Sequence, residues 1–138
     1  MEAGVKTISP LALAFLGDSV FDLHIRRALV EKGIAHPGEL HETAKSIVSA
    51  KAQANLVSEL EKGVSIDGKL FELTEEERDI LRRGRNAKPK TTAKHASVRD
   101  YHLATGLEAL MGFLYLSENE ERIEEITKIA LSIQENDN

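Results

Sequence analysis

Cysteine is absent from all 138 residues, which excludes both a disulfide framework and a thiolate metal centre. No apolar run approaches bilayer length. The longest early one, Leu11 to Leu16, stops at Gly17-Asp18, so a membrane span is excluded. No basic leader stands before it, and we expect a cytoplasmic protein without a secretory signal. The five histidines, His24, His36, His41, His95 and His102, fall at no metal-binding spacing. There is no phosphate-cradling GxxxxGK[ST], no GxSxG nucleophile turn and no dinucleotide fingerprint. Internal repeats and low-complexity segments are also missing. What remains is a chain of the length of one compact domain, residues 1–138.

Apolar residues make up 41% and charged residues 30%, ordinary proportions for a globular protein. The net charge of −5 speaks at first against a nucleic-acid partner, yet it hides a segregation. Between Arg82 and His102 lie Arg82, Arg83, Arg85, Lys88, Lys90, Lys94 and Arg99 against the single acid Asp100, which gives +6 there and leaves −11 on the rest. A basic patch on an acidic body points to an anionic ligand.

Apolar spacing predicts an all-α bundle. Ser9-Pro10 is a helix start, and the apolar positions from Leu11 to Leu29 carry that helix to near Gly33. Glu39 to Lys62 reads as one long helix or two with a break near Ser49. The weak alternation from Val64 to Phe71 is assigned to a loop, because an isolated hairpin is marginal. Thr74 with Glu77 forms a capping box for a short helix ending at Gly84. A basic exposed loop follows over 85–96. Ser97 caps the most apolar helix, and a last helix carries Ile123, Ile126, Ile129 and Ile133.

Two acids sit where acids are costly. Asp18 lies one turn from Ala14 on a largely apolar stripe, and Asp22 follows one turn later. A buried carboxylate needs compensation, by a metal ion or by a neighbouring base. For Asp22 a surface ion pair with Arg26, four residues on, is sufficient. Glu108 interrupts the apolar helix between Gly106 and Gly112, and those glycines imply close approach of another backbone. It is either a ligand or a capped structural acid. Carboxylates without histidine at ligand spacing suit a hard cation such as Mg²⁺, the usual partner of phosphoryl chemistry. Spacing alone does not bring Asp18 and Glu108 together. Tyr101 has the chemistry to stack on a base, but its helical position suits core packing.

The segment Leu13-Ala14-Phe15-Leu16-Gly17-Asp18-Ser19-Val20-Phe21 resembles the ribonuclease III signature, E-F-L-G-D-[AS]-[VI]-L. Thr105-Gly106-Leu107-Glu108-Ala109-Leu110-Met111-Gly112 resembles that family's second motif, D-x-x-E-A-L-x-G. The L-A-L-A run before the signature, Ile47-Val48-Ser49-Ala50-Lys51 and Arg83-Gly84-Arg85-Asn86-Ala87-Lys88 are similar to its Mini-ribonuclease III branch, which lacks an appended double-stranded-RNA-binding domain.

The resemblance implies an α-helical endonuclease domain acting as a homodimer on double-stranded RNA with Mg²⁺. It also implies the branch's characteristic substrate, precursor 23S ribosomal RNA, with an accessory ribosomal protein as a further partner. Asp18 and Glu108 fall on the family's catalytic, metal-binding acids, and Phe15 falls where the signature helix crosses the dimer interface. Arg83, Arg85, Asn86, Lys88, Lys90 and Lys94 become the candidate RNA-binding residues. The chain departs from the family pattern at Ala14 and Thr105, where the wider family has acids, and so carries fewer carboxylates. Those departures leave a second expectation open, a non-catalytic RNA-binding or ribosome-associated dimer on the same fold. A helical adaptor whose basic loop binds an acidic protein is a third.

Overall fold

Side-chain caps set the helix starts. The Ser9 hydroxyl accepts from the Ala12 amide at 3.2 Å, and Pro10 fills the first helical position, where no amide hydrogen is needed. Ser49 does the same for Ala52 at 3.2 Å, and Ser97 for Asp100 at 3.0 Å. Thr74 and Glu77 form the reciprocal capping box, with bonds of 3.1 and 2.9 Å.

The computed structural model describes residues 2–87 and 97–136. Their order is α1 (Glu2–Val5), α2 (Pro10–Glu31), α3 (Pro37–Val48), α4 (Ala50–Lys62), β1 (Val64–Ile66), β2 (Lys69–Phe71), α5 (Glu75–Asn86), α6 (Val98–Leu116) and α7 (Glu120–Asn136). The expected all-α bundle is what forms, with α6 at its centre and α2, α4, α5 and α7 packed around it. Leu103, Leu107, Leu110, Met111 and Leu114 of α6 are almost wholly enclosed. At about 1.5–3 kcal/mol for each large apolar side chain buried, this helix organises the core.

Two local expectations are corrected. The segment from Val64 to Phe71 is a hairpin, not a loop, with Val64 opposite Phe71, Ser65 opposite Leu70 and Ile66 opposite Lys69. Its two-residue turn, Asp67-Gly68, takes positive φ at both positions (51° and 77°), the geometry that matches strand twist. The hairpin is not isolated. Phe71 is 2% exposed, Val64 and Ile66 pack against the core, and the Arg122 guanidinium lies 4.0 Å above the Phe71 ring. The second correction concerns Arg85 and Asn86. They form the end of α5 rather than the start of a loop, because the helix runs through Gly84. A short helix, α1, also precedes the helix that Ser9 caps.

Gly84 does not stop the helix because it serves as a contact. A Cβ there would meet Ala109 Cβ at 2.8 Å, and one at Gly106 would meet the Leu81 carbonyl oxygen at 2.7 Å. α5 and α6 therefore touch backbone to backbone. The 39–62 segment divides into two helices at Ser49, whose extended backbone (ψ 156°) ends α3 as its side chain starts α4.

An ion pair ties α7 to α5. Arg122 donates through Nε to Glu77 Oε2 at 2.8 Å and through Nη2 to Glu77 Oε1 at 2.5 Å and to the Glu72 carbonyl at 2.8 Å. The Glu77 carboxylate holds Arg122 above its usual range, against its partial burial.

Candidate active site

The two acids meet because α2 and α6 cross without side chains between them. A Cβ on Gly17 would stand 1.6 Å from the Glu108 carbonyl oxygen, and one on Gly112 would stand 2.1 Å from that of Leu13. Only glycine permits that contact. Glu108 and Gly112 are one turn apart on α6, and Asp18 directly follows Gly17 on α2, so the crossing sets the two carboxyls side by side.

Glu108 is partly buried between Leu107 and Ala109, while Asp18 stands at the surface. Burial is the main influence that pushes the Glu108 carboxyl up from 4.5 to about 8. The Asp18 charge and a hydrogen bond shared with Asp18 add to it, and a hydrogen bond from Gln53 opposes it. Among the described residues, neither acid forms a salt bridge with a base. The neighbouring base considered for Asp18 is therefore not found there. Its carboxyl couples instead to that of Glu108.

Gln53 is the residue that the sequence reading missed. It is 4% exposed on α4, its Nε2 donates to the Val48 carbonyl at 2.9 Å, and its amide also reaches Glu108. Its Oε1 is buried without a partner. The signal was available, since Gln53 shares a core-facing stripe with Leu56, Val57 and Leu60, where an amide is out of place.

The other candidates separate from the pair. Asp22 pairs with Arg26 at 3.0 Å, as expected of a surface ion pair. Arg83, Arg85 and Asn86 end α5, which lies on the Gly106 face of α6, about 200° round the helix from Glu108. Arg83 donates to the Lys6 carbonyl at 3.2 Å, and Asn86 borders a shallow groove with Pro10, Leu11 and Arg82. Lys88, Lys90 and Lys94 lie outside the described residues. Phe15 is 85% exposed, and with Leu11 (40%) and Leu23 (63%) it forms an apolar stripe along α2. Ala14 and Thr105, the departures from the acidic pattern, are both buried, and the Thr105 hydroxyl donates to the Tyr101 carbonyl at 2.9 Å. They serve packing here.

The geometry thus yields an acid pair at a helix crossing, whose own donor atoms are carboxyl oxygens. Comparison with known proteins agrees on where it belongs. Residues 11–119, which include both acids, match the ribonuclease III domain. The Mini-ribonuclease 3 of Brevibacillus brevis is 46% identical over 127 residues, covering 92% of this chain and 88% of that protein. That of Staphylococcus aureus is 41% identical over 129 residues, covering 94% and 91%. A crystal structure of a protein from Fusobacterium nucleatum superposes with a TM-score of 0.78 at 32% identity, covering 94% of this chain and 96% of that one. The chain belongs to the ribonuclease III family of endoribonucleases, in its Mini-ribonuclease 3 branch.

Proposed function

We propose that this protein is a Mg²⁺-dependent homodimeric endoribonuclease that hydrolyses double-stranded RNA, with Asp18 and Glu108 as its metal-holding catalytic acids. The observation that carries the reading is the unneutralised carboxylate pair. Two like charges brought together, one in a partly desolvated position, are unfavourable unless a proton or a cation joins them, and a divalent cation can displace that proton. The donor set suits a hard ion. Both ligands are carboxylates, and the one buried side-chain polar atom without a partner among the described residues, Gln53 Oε1, is again oxygen. When bound, Mg²⁺ supplies phosphate polarisation and an acidified water.

The residues do the remaining work. Asp18, at the surface, faces the RNA side of the pair, while Glu108 is held from behind by the Gln53 amide. The Gly17–Gly112 crossing fixes their spacing, so the pair needs little rearrangement to accept charge. Hydrolysis adds water across one P–O ester bond, leaving a phosphate monoester on one fragment and a hydroxyl on the other.

The exposed stripe Leu11, Phe15 and Leu23 supports dimerisation through α2. Twofold symmetry would then present two acid pairs to one duplex. Arg83, Arg85, Asn86, Lys88, Lys90 and Lys94 are proposed to hold phosphates and 2′-hydroxyls away from the cutting centre, favouring shape over sequence. The resemblance to the Mini-ribonuclease III motifs supports precursor 23S ribosomal RNA as substrate, a cytoplasmic setting and an accessory ribosomal protein. Among the described residues no helix is long and apolar enough to cross a membrane.

The test is incubation of the purified protein with duplex RNA and Mg²⁺ beside Asp18→Asn. Cleavage by the parent and its loss in the variant are expected. RNA retention without cleavage by either protein would leave the non-catalytic RNA-binding dimer as the function.

A further inference from the structure

The five histidines fall at no metal-binding spacing along the chain, yet the fold gives one of them a ligand's surroundings. His24 is 6% exposed on α2. Its Nδ1 lies 2.8 Å from the Val20 carbonyl oxygen, which can only accept, so the hydrogen of that contact sits on Nδ1. A neutral ring then carries its lone pair on Nε2. That atom points out of the core at two more acceptors, Glu120 Oε1 at 3.0 Å and Glu124 Oε1 at 4.0 Å.

Glu120 and Glu124 are one turn apart on α7, so both project from the same face toward α2. One ligand atom from each of the three residues lies within 4.8 Å of the others. Three converging lone pairs repel one another. Only a second ring proton or a cation among them removes the conflict.

We propose that His24, Glu120 and Glu124 form a second metal site, selective for Zn²⁺ or a similar borderline divalent ion. One imidazole nitrogen with two carboxylate oxygens is a donor set that such ions accept and that Mg²⁺ does not favour. The backbone-bonded Nδ1 is the usual outer support of a ligating histidine, fixing its tautomer and aiming Nε2 at the ion. The carboxylates are 59% and 49% exposed, which gives the ion an entry path and leaves room for water as a fourth ligand.

The site is separate from the acid pair. His24 lies six residues beyond Asp18, about 9 Å along the same helix, and its partners come from α7 rather than α6. An ion there would fasten α7 to α2 and so stabilise the bundle. The inference does not rest on the nuclease reading.

The test uses full-length protein carrying Asp18→Asn and Glu108→Gln, which silences the first acid pair, stripped with a chelator. Calorimetric titration with Zn²⁺ is expected to show one ion per chain, and Zn²⁺ should raise the melting temperature. Co²⁺ should give the intense visible bands of a low-coordinate site. Adding Glu120→Gln and Glu124→Gln should abolish all three signals. Both side chains are exposed, so a far-UV circular dichroism spectrum matching the parent is expected for that variant. Absence of bound ion, or Zn²⁺ binding of unchanged stoichiometry and affinity after the two glutamate substitutions, would overturn the proposal. A plain imidazolium–carboxylate ion pair would then account for the contacts.

Discussion

Replacing Glu108 by glutamine should stabilise the metal-free protein at alkaline pH and leave it nearly unchanged in acid. The carboxyl rises from 4.5 to about 8 on folding, so the folded state binds its proton more tightly than the unfolded chain does. Below 4.5 both states are protonated and nothing is lost. As pH rises from 4.5 toward 8, the unfolded chain sheds the proton while the folded chain keeps it, and the penalty grows. Above 8 it is complete.

The gap between 4.5 and about 8, at about 1.4 kcal/mol per pH unit, sets a ceiling of roughly 5 kcal/mol. Asp18 is at the surface and the pair can relax into water, so about 2–3 kcal/mol is the expected gain. Urea unfolding followed by circular dichroism, in chelator and at one protein concentration, measures it across pH 5 to 9. Parent and Glu108→Gln should coincide near pH 5 and separate by about 2–3 kcal/mol near pH 9. Mg²⁺ should close the separation by stabilising only the parent. Parallel profiles at all pH values would refute the reasoning, because Glu108 would then feel neither burial nor Asp18.

Four further outcomes follow from the fold. Gly17→Ala places a methyl 1.6 Å from the Glu108 carbonyl oxygen, so it should cost about 3 kcal/mol in denaturant unfolding. It should also lower cleavage about 100-fold by spreading the acids. Gly4→Ala, with nothing within 4 Å of the added carbon, should change stability by less than about 0.5 kcal/mol. Arg122→Ala leaves the Glu77 carboxylate, 4% exposed, without its partner and should cost about 3–5 kcal/mol, with the melting temperature as readout. Phe15→Glu should weaken self-association by about 30-fold or more in sedimentation equilibrium while leaving the circular dichroism spectrum intact.

Much of this architecture is legible in the chain because its signals are local. Ser9, Thr74 and Ser97 cap helices where their hydroxyls and the following residues say they should. Gly106 and Gly112 announced close packing, and both supply it. The hairpin was hidden because its stability comes from Phe71 and Arg122, fifty-one residues apart, rather than from its own short strands. Gly84 looked like a helix terminator, but its role is set by α6, which no neighbour in sequence reveals.

The site divides in the same way. Asp18 and Glu108 stood out singly as acids among apolar residues, yet their meeting depends on a helix crossing that spacing cannot show. Gln53 and His24 were legible only as polar residues at core positions. What they face is decided by Glu108 and by Glu120 and Glu124, at the far end of the chain.

The central claim is that Asp18 and Glu108 together hold a divalent cation. Mn²⁺, a hard ion visible by electron paramagnetic resonance, tests it most directly in protein carrying Glu120→Gln and Glu124→Gln. The free-ion signal should fall as one Mn²⁺ binds per chain, and either Asp18→Asn or Glu108→Gln should restore it. The same two variants should lose duplex cleavage by roughly 100-fold or more, beyond what outer partners of a metal contribute. Mn²⁺ binding and cleavage that persist unchanged in both variants would contradict the account.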